Sequence, residues 1–382
     1  MYDDIIQFIR KLYGETGEVF LHEPVFRGAE KDYLIRTIDS TFVSSVGEYV
    51  TRFGEEFAQF VGAKHAVPVT NGTAALHVAC LAAGVKPGDE VITQPLTFVA
   101  TCNAISYCGA KPVFVDVERD TLGLSPTALQ SFLETQTRQE NGVCVNRRTG
   151  KVIRAVVPMH VFGHPVRIRE IADICTEHHI VLVEDAAEAL GSFVDGRHVG
   201  TFGMVSAFSF NGNKIITTGG GGMVVTDDDN VADWVRHITT TAKLPHAWNY
   251  AHDSIAFNYR MPNLNAALGC AQLEQLPRFL ASHRATAAAY RDFFANRNDA
   301  TFVDEPSGCK SNFWLNAIML GNRTERDAFL EATHGNAVMT RPIWNLMNRL
   351  PMYAGCQNDG LKVAQWLEDR VVNLPSTARD VA

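Results

Sequence analysis

The chain reads as an α/β protein, with a large unit on a mostly parallel sheet and a smaller C-terminal α+β unit. Two observations predict this. From about residue 48, short apolar runs recur at regular intervals (Ala66–Val69, Glu90–Thr93, Pro112–Val117, Ile153–Pro158, Ile180–Val183), separated by helix-length segments such as Ala74–Ala83, Val99–Tyr107 and Val166–His178. Strands alternating with helices of that length require crossover connections, hence parallel strands buried on both faces. After residue 225 the pattern changes to long helices, read as 262–277 and 279–296, and then to a less regular stretch.

Near the N-terminus, Ile5, Ile6, Ile9 and Leu12 keep helical spacing behind acidic residues, which predicts a surface helix and not a signal peptide. Tyr49, Phe53, Phe57, Phe60 and Val61 continue that periodicity in a second helix, which Gly62 stops. The expected division is a large unit over residues 40–268 and a small unit over 269–382, with residues 1–39 packing on the small one.

Of the 382 residues, 46% are hydrophobic and 20% charged, as in an ordinary globular enzyme. The net charge of −8, with no basic run, excludes a nucleic-acid footprint and attraction to anionic lipid. No apolar run approaches membrane-spanning length. The eight cysteines form no C-x-x-C pair and sit mostly in apolar contexts, so they read as reduced core residues of a cytoplasmic protein with no metal site.

Chemistry gathers at a few places. In Ser209-Phe210-Asn211-Gly212-Asn213-Lys214, followed shortly by Gly219–Gly222, one lysine lies in a polar turn between the apolar runs Val205–Phe210 and Met223–Val225. Burial disfavours an ammonium and frees its lone pair, and such amines form Schiff bases with carbonyls. A solvated lysine at a hairpin tip explains this window equally well. In Val69-Thr70-Asn71-Gly72-Thr73-Ala74-Ala75-Leu76 a strand turns into a helix through small residues, a geometry that suits a phosphate or a plain N-cap from Asn71 or Thr73. The apolar run Ile180–Val183 ends in Glu184-Asp185 at the carboxyl edge of the sheet, where open α/β folds bind ligands. An aspartate there can pair with a protonated pyridine nitrogen, or Asp185 and Glu188 can form a capping box for a short helix. Phe98, in Gln94-Pro95-Leu96-Thr97-Phe98, suits a ring-stacking role or the core.

Four motifs in order, Thr70–Leu76, Glu184–Ser192, Ser209–Lys214 and Phe257-Asn258-Tyr259-Arg260-Met261, resemble the DegT/DnrJ/EryC1/StrS family of pyridoxal-phosphate (PLP)-dependent nucleotide-sugar aminotransferases, over nearly the whole chain. The resemblance implies PLP fold type I (aspartate aminotransferase-like) and a homodimer whose active sites are shared across the interface. It implies that Lys214 forms the Schiff base with the cofactor and that Asp185 binds its ring nitrogen. Gly72, Thr73 and Ser209 match phosphate ligands, and Phe98 matches the aromatic stacked on the ring. Glu188 stands where many members have glutamine near the cofactor's 3-hydroxyl. Asn258 matches an asparagine that reaches the phosphate in the neighbouring subunit. Tyr259 and Arg260 fit either the same interface or the start of a helix capped by Asn263, and His160 fits either site or structure.

Asn-Gly-Asn before the lysine, Ile215-Ile216-Thr217-Thr218 after it, and Thr340-Arg341-Pro342-Ile343-Trp344 resemble the bacillosamine and legionaminic-acid branch (PglE-like and LegC-like). That branch implies transfer of an amino group from L-glutamate to C4 of a UDP-linked 4-keto-6-deoxy-N-acetylhexosamine for surface-glycan synthesis, with the cofactor passing through pyridoxamine phosphate. The alternatives are a dTDP-4-keto-6-deoxyhexose as acceptor, a PLP-dependent sugar dehydratase, and a PLP-free nucleotide-sugar binding protein.

Overall fold

A computed structural model describes residues 2–14 and 16–380. Seven strands form the large sheet: β1 (His65–Val69), β2 (Glu90–Thr93), β3 (Lys111–Phe114), β4 (Ile153–Val157), β5 (Val181–Asp185), β6 (Val205–Ser209) and β7 (Gly222–Thr226), in the order β1-β7-β6-β5-β4-β2-β3. β6, β5, β4, β2 and β3 pair parallel, and β7 is antiparallel to both its neighbours. β1 therefore runs with the parallel set, and the strands other than β7 end at one edge. Helices cross between them, so strand residues such as Val67, Ile92, Val156, Val183 and Ala207 are buried. This is the mostly parallel architecture predicted, though the strand expected at Pro112–Val117 ends at Phe114.

The helix Glu48–Val61 shows how the sequence aims the site. It packs Phe53 and Phe57 against β6 and the residue after it: the ring centroids of Phe53 and Phe210, and of Phe57 and Phe208, are each 5.1 Å apart. Side chains alternate along a strand, so anchoring Phe208 and Phe210 on this face turns Ser209 to the other.

A smaller antiparallel sheet, β8 (Ala300–Phe302), β9 (Asn316–Leu320), β10 (Arg341–Pro342) and β11 (Val371–Leu374), has the order β8-β9-β11-β10. The N-terminal helix Asp3–Tyr13 lays Ile5, Ile6 and Ile9 into one cluster with Tyr290, Ile318, Phe329 and Val372 beside this sheet.

The two helices expected at 262–277 and 279–296 are one, Asn263–Phe294, with Pro277 inside it. An interior proline costs about 3 kcal/mol through a lost hydrogen bond and a clash with the preceding turn. Burial of Leu273, Leu276 and Phe279 around that point offsets it. The boundary expected at 268/269 falls within this helix. Asn263 does not cap it: its side chain accepts from Val50 N and donates to the Phe42 carbonyl, tying the helix to the preceding segment. No helix among the described residues is long and apolar enough to cross a membrane. All eight thiols are free, six of them in buried residues.

Candidate active site

The common edge of the strands opens into a cavity of about 480 Å3. Gly72 and Thr73 enter it from the segment after β1, Phe98 and Thr101 from after β2, Asp185 and Glu188 from the end of β5, and Ser209 and Lys214 from the end of β6. Seven of the eight residues singled out from the sequence thus share one wall system. Asn258 lies outside the cavity, exposed, in a bridge with Thr240.

The helix Gly72–Ala82 starts at the cavity. Asn71 is its N-cap: Oδ1 accepts from Ala74 N at 2.8 Å, and the Asn71 carbonyl accepts from Ala75 N. The N–H groups of Gly72 and Thr73, at the positive end of the helix, have no intrahelical acceptor. A Cβ on Gly72 would meet the Ser209 Cβ at 2.7 Å, and one on Gly222 the Asn71 carbonyl oxygen at 2.5 Å. Glycine at both places lets β6 and β7 close on the helix start and brings Ser209 beside it.

Lys214 is set by its turn. Its N–H donates to the Asn211 carbonyl at 2.9 Å, and Trp314 Nε1 donates to the Asn213 carbonyl at 2.6 Å. The ammonium stands 3.9 Å from the Trp314 ring centroid and 3.1 Å from Glu188 Oε1, and the lysine side chain is 13% exposed. It is not a solvated hairpin tip. The other Glu188 oxygen accepts from Phe162 N at 2.9 Å, and Phe162 holds a left-handed backbone (φ 55°) in the cavity wall. Burial pushes the Glu188 carboxyl above its ordinary value, with Lys214 and the Phe162 N–H pulling against it.

Asp185 is buried at the end of β5. Thr101 Oγ1 donates to its Oδ2 at 2.7 Å and Ala187 N to its Oδ1 at 3.2 Å. Burial raises this carboxyl as well, against those two donors. The short helix that a capping box requires is absent: residues 186–191 form turns, and neither acid caps a helix. His160 resolves as structural. Its Nδ1 accepts from Val166 N, leaving Nε2 to donate to Glu184 Oε2 at 3.2 Å, away from the cavity. Burial alone would raise Glu184, but His160 and the N–H groups of Gly203 and Gly200 outweigh it and hold the carboxyl below its ordinary value. Tyr259 stacks on Phe257 and takes the Thr70 N–H on its carbonyl. The Arg260 Nε is buried without a partner among the described residues, and burial, then Arg236, lowers its pKa.

Reading the sequence missed the roles of Thr101 and Trp314 and the position of Asn373. Thr101 lies in the first turn of the helix after Phe98. Trp314 and Asn373 carry no local signal.

The DegT/DnrJ/EryC1/StrS aminotransferase family matches residues 25–379. The GDP-perosamine synthase of Vibrio cholerae is 39% identical over 93% of this chain and 93% of its own. The putative pyridoxal phosphate-dependent aminotransferase EpsN of Bacillus subtilis is 36% identical over 88% of this chain and 84% of its own. Among solved structures, DesI in the presence of its TDP-sugar product superposes with a TM-score of 0.82 at 28% identity, over 98% of this chain and 92% of that one. The chain belongs to the DegT/DnrJ/EryC1/StrS family and is a PLP-dependent sugar aminotransferase.

Proposed function

We propose that this chain moves the amino group of L-glutamate to C4 of a nucleoside-diphosphate-linked 4-keto-6-deoxyhexose, with the UDP-linked N-acetylated sugar as acceptor. The observation that carries the aminotransferase site is the meeting of Lys214, Asp185, Gly72, Thr73 and Ser209 in one cavity. The features of this cavity fit PLP. Two helix N–H groups and a close-packed glycine suit its phosphate, a buried carboxylate suits a protonated ring nitrogen, and an amine in the same cavity stands 3.9 Å from the Trp314 ring centroid.

Gly72, Thr73 and Ser209 would hold the phosphate, together with Asn258 of the partner subunit in a homodimer. Phe98, half exposed to the cavity, would cover a ring face. Asp185 would hold the ring nitrogen's proton, and Glu188 would stand near the 3-hydroxyl. When bound, the cofactor supplies a carbonyl that takes up amino groups and a ring that spreads the electron pair left by proton loss. Lys214 carries the proton at Nζ, taking it from the donor's α-carbon and, in the second half-reaction, delivering one to C4 of the sugar. Glu188 keeps that amine in the cavity, and Thr101 orients the Asp185 carboxylate toward it.

A second reading has a specific basis: the Vibrio cholerae relative is named for a GDP-linked sugar. The test is a comparison of kcat/KM for UDP-, GDP- and dTDP-linked 4-keto-6-deoxy sugars with L-glutamate as donor. The UDP reading expects the N-acetylated UDP sugar to lead. A GDP sugar in the lead moves the acceptor to the second reading, and no amination of any of them overturns both.

A further inference from the structure

We infer that Arg341 and Asn373 form an oxyanion subsite on the small-sheet wall of the cavity, which seats a carboxylate of the amino donor. The two residues are direct cross-strand partners on β10 and β11, and both line the cavity. Asn373 is 3% exposed, yet its Nδ2 has no acceptor among the described residues. A buried amide donor left without an oxygen is costly, so such a group points to a ligand that completes it.

Arg341 is the matching half. Among the described residues its hydrogen bonds run from Nη1, to the Thr340 carbonyl at 3.1 Å and the His334 ring at 3.2 Å. Among the described residues it has no carboxylate partner, whereas most arginines of this chain do. The charged side chains lining the cavity are Asp185, Glu188, Lys214 and Arg341. Asp185 is held by Thr101 and Ala187, and Lys214 is paired with Glu188. Among the described residues lining the cavity, Arg341 is the one cation left for an incoming anion. A planar guanidinium fork beside an amide N–H matches the planar carboxylate, with two oxygens and several donors.

The inference rests on the aminotransferase reading only for the identity of the donor. The sugar nucleotide also brings an oxyanion, its diphosphate, so the experiment has two arms. Binding of glutarate, an unreactive five-carbon dicarboxylate, and of UDP and GDP is measured by calorimetry on the holoenzyme, for wild type, Arg341→Met, Arg341→Lys and Asn373→Ala. Arg341→Met should weaken glutarate about tenfold or more, since a charge-assisted pair is lost, and leave both nucleotides within about twofold. Arg341→Lys should recover part of the loss, and Asn373→Ala should weaken glutarate by about threefold or more.

Unchanged glutarate binding in Arg341→Met with a wild-type melting temperature would overturn the inference. So would a loss confined to UDP or GDP, which would assign the pair to the diphosphate. Failure of every keto sugar as acceptor would sink the proposed reaction while leaving the glutarate result standing.

Discussion

Lys214 and Glu188 form an ion pair, Nζ to Oε1 3.1 Å, in which the carboxylate side chain is 2% exposed. Burial penalises the carboxylate, and the Phe162 N–H on its second oxygen helps keep the acid ionised. The pair holds the reactive amine inside the cavity before the cofactor is bound. Glu188→Gln should leave the Phe162 contact in place but strip the lysine of its counter-charge. The expected result is a loss of about 1–3 kcal/mol in unfolding free energy for the cofactor-free protein, read by urea melts. An unchanged midpoint would mean the pair is incidental.

Asp185→Asn keeps volume and one of the two acceptor oxygens but removes the charge. It should lower kcat by at least about a hundredfold, as expected for losing one preorganised electrostatic partner. Thr101→Val should act through the same carboxylate, with a smaller loss of about tenfold and a shifted absorption band of the bound cofactor. If Asp185→Asn lowers only the melting temperature, the acid serves the fold and not the reaction.

A shared site can be tested by mixing chains. Asn258 is exposed and lies outside its own chain's cavity, so in the proposed dimer it serves the other subunit. A Lys214→Ala chain and an inactive chain carrying a disruptive Asn258 substitution should regain partial activity when reassembled together. One site of the mixed dimer carries both defects, leaving the other intact. A fully active monomer, or unchanged PLP affinity in the Asn258 variant, would contradict the shared site.

Much of this site is legible in the sequence, for physical reasons. Lys214, Asp185 and the Gly72 turn sit where strands end, and strand ends are marked by apolar runs meeting polar turns. The Asp185–Glu188 spacing misleads as a cap because the turns at 186–191 leave both carboxylates to tertiary partners, Thr101 and Lys214. Pro277 misleads because local propensity is outweighed by burial along the helix on both sides of it. Trp314, Arg341 and Asn373 reach the cavity only through closure of the small sheet on the large one. Arg341 is noticeable in its motif, but nothing local tells which partner it faces.

Stability should fall with mild acid. Burial pushes His164, His198 and His283 down to about 4, and His22 well below 6.5. An imidazole with a lowered folded pKa leaves the unfolded chain binding more protons, so its contribution is complete above about pH 6.5 and shrinks as pH falls toward 4. The raised carboxyls of Glu118, Asp185, Glu188 and Asp359 act in the opposite sense; the expectation is that the four imidazoles, whose free value of about 6.5 lies inside this window, set the sign. Calorimetric scans at pH 7.5 and 5.5 should differ by about 5 °C or more. A flat or rising melting temperature would contradict this account of the histidines.

The most direct test of the account concerns Lys214 itself. Purified protein supplied with PLP is reduced with borohydride, digested, and its peptides are weighed by mass spectrometry. The account predicts a yellow protein in which the reduced cofactor is fixed to the peptide containing Lys214. It also predicts that Lys214→Ala still holds the cofactor but shows neither the adduct nor turnover. An adduct on a different lysine, or normal turnover in Lys214→Ala, would contradict it.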